Sequence, residues 1–159
     1  MNVAYLNVRT LLGGKEHILI QDLITYKIDI AFISEVRWQE QGDITRDDYQ
    51  GYHFLNSKGT SKGLYGVSMV VSPNMYKIWK EGGGYWEPIS PRLLKIHFPF
   101  KYSKKIHFFF GVYAPTQSNS TDEEKDLFYD NLGTVCDKVS SGDVLVILVG
   151  DFNVGAFSE

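Results

Sequence analysis

With 159 residues, the chain sits in the range of roughly 100 to 200 residues expected of one domain, and a fold of that size hides about 70% of its unfolded surface. A content of 43% hydrophobic, 14% aromatic and 22% charged residues excludes a disordered tail, a collagen and a coiled coil, and one cysteine excludes a disulfide framework or a multi-cysteine zinc module. The net charge of -3 conceals a split: residues 1–110 carry 14 Lys+Arg against 10 Asp+Glu, and residues 111–159 carry 2 against 9. The split permits a phosphate-contacting surface on the first two thirds, with Lys101, Lys104 and Lys105 as the densest basic cluster; a solvated loop is the competing reading of those lysines. The opening MNVAYLNVRT has no secretory pattern, and no apolar run approaches the roughly 20 residues that span a bilayer. A nuclear or cytoplasmic, non-secreted protein without a membrane span is therefore expected.

Runs rich in β-branched and aromatic residues alternate with helical patterns, the layout of an α/β domain. Val3 to Val8 predicts a strand, closed by a turn with Gly13 and Gly14. Glu16 to Tyr26 predicts a helix with Ile18, Leu19, Leu23 and Ile24 on one face. Strands follow at Ile28 to Ser34, Tyr52 to Asn56 and Val67 to Ser72, the last stopped by Pro73 and paired with Met75 to Lys80. Glu81 to Pro91, with three glycines and two prolines, reads as a loop. Leu93 to Phe98 and Ile106 to Tyr113 are strands joined by the basic turn. Thr121 or Asp122 caps a helix whose inward face is Phe128, Leu132, Val135 and Val139, with Cys136 beside them. Val144 to Val149, apolar throughout, reads as a strand covered on both faces.

Ligands in α/β sheets gather beyond the carboxyl ends of strands, so apolar strands that end in polar residues mark candidate chemistry. Four do so: the first near Asn7, the second at Glu35, the aromatic strand at Tyr113, and the last at Asp151-Phe152-Asn153. If these ends lie together, two carboxylates, two amides and a phenol share one cleft. Such a set can hold a hard cation and a phosphate, since Mg²⁺ takes one or two protein carboxylates plus water and phosphate oxygens. Each residue also has a plainer reading. Asn7 can be a satisfied edge amide, Glu35 a partner of Arg37, Tyr113 a packed aromatic, and Asp151 with Asn153 an Asx turn. Gly59 to Gly66 lacks the spacing of a phosphate-binding loop and reads as a hairpin connection. His17, His53, His97 and His107 show no ligand spacing.

Taken in order, Asn-Val-Arg-Thr-Leu at 7–11, Ser-Glu-Val-Arg-Trp at 34–38, Gly-Val-Ser-Met-Val-Val-Ser at 66–72, Val-Tyr-Ala-Pro-Thr at 112–116 and Gly-Asp-Phe-Asn at 150–153 resemble the endonuclease/exonuclease/phosphatase superfamily. Within it, the chain is most similar to the apurinic-type endonuclease domains of non-LTR retrotransposons and the craniofacial development protein 2-like proteins. The resemblance implies a single DNase I-like domain over residues 1–159: a two-sheet α/β sandwich with flanking helices. It also implies metal-dependent hydrolysis of a DNA phosphodiester. Glu35 would bind Mg²⁺ or Mn²⁺ with Asn7 beside it, Asp151 would activate the attacking water, and Asn153 and Tyr113 would hold the scissile phosphate. Arg37, which follows the metal ligand, would support the site or face substrate, and Lys104 and Lys105 of the basic cluster would contact substrate on the charge argument above.

The chain departs from this pattern at its C-terminus. Relatives continue past Gly-Asp-Phe-Asn to strands ending in a Ser-Asp-His-like motif, whereas Glu159 follows Asn153 by six residues. The expectation is an incomplete sandwich with an exposed sheet edge open to self-association, and weak or lost activity. Two further readings stand beside the nuclease: a noncatalytic nucleic-acid-binding or assembly fragment, and a phosphomonoester or phospholipid phosphatase of the same superfamily.

Overall fold

The computed structural model describes residues 1–100, 103, 106–139 and 144–153. Nine strands and three α-helices are assigned among them. One sheet has the order β1 (Val3–Asn7), β2 (Ile30–Ser34), β5 (Val67–Val71), β4 (His53–Asn56), β3 (Gly42–Ile44); the other has β6 (Tyr85–Ser90), β7 (Leu93–Phe98), β8 (Ile106–Tyr113), β9 (Val144–Asp151). The helices are α1 (Glu16–Thr25), α2 (Pro73–Glu81) and α3 (Asp122–Val139).

Alternation along the strands divides the interior into layers. In β2, Ala31 and Ile33 pack with Leu19, Ile20 and Leu23 of α1, while Ile30 and Phe32 turn to the other sheet, so every position is buried. In β8, Phe109 joins Phe32 and Phe98 between the sheets, whereas Phe108, Phe110 and Val112 meet Phe128 and Leu132 of α3. The result is α1, sheet, sheet, α3. Thr121 starts α3 with a capping box: its Oγ1 accepts the Glu124 N–H and its own N–H donates to Glu124 Oε2, both at 3.2 Å.

Several expectations are corrected. Residues Met75 to Lys80 lie in α2, not in a strand paired with β5. Pro73 takes the first turn of that helix, where its missing N–H costs nothing, and Trp79 is fully buried with Nε1 donating to His97 O at 2.8 Å. The expected loop at Glu81 to Pro91 contains β6; Pro88 is tolerated because β6 is an edge strand with a register shift between Pro88 and Ser90. On α1, Ile18 is 66% exposed and Ile20 takes the inward place, with Glu16 also buried. Finally, β9 pairs only with β8 among the described residues, and Leu145 and Leu148 are each 40% exposed, so this apolar strand is not covered on both faces. No helix among the described residues is long and apolar enough to cross a membrane.

Candidate active site

Two parallel strand pairs, one in each sheet, end at the same end of the sandwich. Asn7 at the end of β1 stands opposite Ser34 of β2, and Tyr113 at the end of β8 stands opposite Asp151 of β9. Glu35 follows directly on β2. Asn7 Nδ2 donates to Glu35 Oε1 at 2.9 Å and makes a longer contact to Asp151 Oδ2 at 3.5 Å, so one amide links carboxylates carried by different sheets. Asn7 Oδ1 accepts the Arg9 N–H at 3.0 Å, which fixes the amide. Tyr113 O–H donates to Glu35 Oε1 at 3.0 Å and Arg37 Nη2 to Glu35 Oε2 at 2.9 Å.

Burial alone would raise the Glu35 carboxyl, but the bonds from Asn7, Arg37 and Tyr113 and the Arg37 charge outweigh it and hold the group below its ordinary 4.5. Tyr113 is pushed up to about 12 by burial and by the bond to, and charge of, Glu35, with the Arg92 charge acting the other way. Tyr5, whose hydroxyl lies 2.6 Å from Ser34 Oγ, is raised by burial; the Ser34 bond lowers it, and the Asp151 and Glu35 charges raise it further. At neutral pH the cleft therefore combines an ionised Glu35 with protonated phenols.

The backbone is bent to make this arrangement. Arg9, Glu35, Arg37, Tyr65 and Asn153 have φ of 56°, 59°, 63°, 65° and 49°. Such non-glycine left-handed residues cost of order 1 kcal/mol each and persist where their surroundings over-determine them. Here the turn after β2 is strapped by Leu11 N–H to Val36 O (3.1 Å), Val36 N–H to Gly66 O (3.2 Å) and Arg37 N–H to Tyr65 O (2.8 Å).

The structure brings Asn7, Glu35, Arg37, Tyr113 and Asp151 together. Asn153 closes an Asx turn, its N–H donating to Asp151 Oδ1 at 2.9 Å, and its amide Nδ2 donates to Ala114 O at 2.5 Å. Lys101, Lys104 and Lys105 lie outside the described residues. His17 pairs with Asp48 and His53 with Asp43, while His97 and His107 sit in an aromatic cluster with Phe108 and Phe100; none of these contacts involves Glu35 or Asp151. Sequence reasoning missed Tyr5, Tyr65 and Arg92. Tyr65, framed by Gly63 and Gly66, left only the weak signal of an aromatic inside a glycine-rich turn.

Among the described residues no group of three or more His, Cys, Asp or Glu converges on one point. Two carboxylates and an amide nevertheless fit a hard divalent cation that retains water ligands. Both carboxylates accept from Asn7 Nδ2, so N–H donors stand between them here, and Asn7 Oδ1, now bonded to the Arg9 N–H, would have to turn inward to serve as a ligand.

No family model matches the chain. Its sequence is 27% identical over 156 residues to craniofacial development protein 2 of Bos taurus, covering 96% of this chain and 24% of that protein. The endonuclease domain of TRAS1, a telomere-specific non-LTR retrotransposon, superposes with a TM-score of 0.64 at 13% identity, covering 97% of this chain and 61% of that one. An AP endonuclease from Archaeoglobus fulgidus gives 0.63 at 20% identity, with 97% and 58% covered. The chain has a DNase I-like fold. This DNase I-like domain spans about a quarter of the curated relative and roughly three fifths of the two solved structures. Its Asn7, Tyr113 and Asp151 end strands of the two parallel pairs, and Glu35 follows directly on β2.

Proposed function

We propose that this DNase I-like domain carries the metal-binding centre of a phosphodiester hydrolase acting on DNA. The observation that supports this most is the Asn7 amide joining Glu35 and Asp151 across the sandwich while Tyr113 shares Glu35 Oε1 with it and Arg37 takes Oε2. Mg²⁺ or Mn²⁺, when bound, would offset charge on the phosphate oxygens. Glu35 would hold it, with Asn7 beside it supplying Oδ1 once its amide turns over and releases the Arg9 N–H. Asp151, with Oδ1 fixed by the Asn153 N–H, presents Oδ2 to the cleft and would orient and deprotonate the attacking water. Tyr113, protonated at neutral pH, would donate to a phosphate oxygen by sharing the proton it gives Glu35. Asn153 would do the same by exchanging its bond to Ala114 O. Arg37 keeps Glu35 ionised, and Lys104 and Lys105 are assigned to the DNA backbone on sequence grounds.

The test is nicking of supercoiled plasmid with Mg²⁺, compared with hydrolysis of p-nitrophenyl phosphate. Weak nicking abolished by EDTA, with little monoester hydrolysis, is expected. Preference for the monoester would turn the assignment to a phosphatase. Salt-dependent DNA binding without nicking would turn it to a noncatalytic binding fragment.

A further inference from the structure

Arg92 has no part in the chemistry above, yet it touches both sides of the cluster. Its Nη1 donates to Tyr113 O at 3.2 Å and Ala114 O at 3.3 Å, and its carbonyl accepts the Tyr113 N–H at 2.9 Å. Two of these three bonds are charge-assisted, and together they fix the end of β8 from which the phenol projects. The guanidinium also lies 3.7 Å from the Tyr65 ring centroid and 5.2 Å from that of Tyr113, the rings being 6.0 Å apart.

Tyr65 carries this influence to the other sheet. Its carbonyl accepts the Arg37 N–H at 2.8 Å, and Gly66 beside it accepts the Val36 N–H at 3.2 Å and donates to Pro91 O at 2.9 Å. The strained turn bearing Glu35 and Arg37 thus leans on a segment that the Arg92 cation covers. We infer that Arg92 is a positioning residue for the Glu35–Tyr113 pair, holding the end of β8 and the Tyr65 segment in the arrangement in which the phenol reaches Glu35 Oε1. With Nη1 committed to two backbone carbonyls, the guanidinium orients the end of β8. The inference rests on the reading of Glu35 as a metal ligand only in its consequence for the metal.

Two measurements separate the inference from that reading. The chain is labelled with 3-fluorotyrosine at position 113, and its ¹⁹F resonance is compared in the wild type, Arg92→Lys and Arg92→Gln; Mn²⁺ affinity is measured by calorimetry in the same proteins and in Glu35→Gln. Arg92→Gln is expected to shift and broaden the resonance and to weaken Mn²⁺ about 10-fold or more, as loss of an outer-shell partner does. Arg92→Lys, which keeps the charge but loses the planar fork, should recover part of both. A resonance and an affinity unchanged in Arg92→Gln would overturn the inference. Wild-type protein that binds no Mn²⁺, or Glu35→Gln that binds it normally, would overturn the metal reading instead, and the ¹⁹F comparison would then decide the role of Arg92. If Arg92→Gln fails to fold, an Arg92→Lys resonance and affinity identical to wild type would be the contradicting result.

Discussion

Glu35 accepts three side-chain donors while only 16% of its side chain is exposed, so its ionisation belongs to the cluster and not to solvent. Its folded value is depressed, so the stability it contributes is present above its unfolded value near 4.5 and is lost as pH falls through the folded value. Tyr113→Phe removes one of the three donors and should raise the Glu35 carboxyl, observed by following its side-chain carbon resonance through an acid titration; an unchanged midpoint would refute the coupling. The opposite sign holds for Tyr113 itself. Raised from 10 to about 12, the phenol contributes stability that is complete below pH 10 and is lost as pH rises toward 12. Thermal unfolding of Tyr113→Phe should therefore fall less steeply over that alkaline window than that of the wild type. An equal slope would show that the raised phenol contributes nothing.

What brings Glu35 within reach of Tyr113 is the close approach of β2 and β8, and Gly111 permits it. A Cβ there would lie 2.9 Å from Val67 Cγ1 and 3.4 Å from Phe32 Cδ1 across the inter-sheet core. Gly111→Val should destabilise by about 2 kcal/mol through overpacking and lengthen the Tyr113–Glu35 bond, tested by denaturant unfolding and by a crystal structure of the variant. Wild-type stability would show that the sheets have slack at that point. The same strand ends explain what was legible from sequence. An apolar run that stops at Asn7, Glu35, Tyr113 or Asp151 reports a strand and the place where its chemistry emerges. The segments misread were those in which local signals conflicted. Pro73 reads equally as a strand stop and as a first helical turn, and only the burial of Trp79 decides. The glycines and prolines around β6 hide a strand that edge position makes tolerable. Arg92 carried no legible signal and Tyr65 only a weak one, because their stack exists only after β5, β7 and β8 have come together.

For the whole molecule, the sandwich places one parallel strand pair from each sheet side by side, so that the site belongs to both sheets and to neither alone. The surplus of cations in residues 1–110 lies in the part of the chain that supplies Asn7, Glu35, Arg37 and Arg92. DNA affinity is accordingly expected to fall about tenfold or more between ~50 and ~200 mM salt, the dependence that release of a few counterions produces. Salt-insensitive binding would remove the phosphate backbone as the ligand. The most direct measurement is a count of bound Mn²⁺ by electron paramagnetic resonance in the wild type, Glu35→Gln and Asp151→Asn, each checked for unchanged thermal unfolding. The predicted result is one ion per wild-type chain, lost in Glu35→Gln and weakened in Asp151→Asn. A folded wild-type chain that takes up no ion, or the same uptake in all three proteins, would contradict the assignment of this cluster as the metal centre.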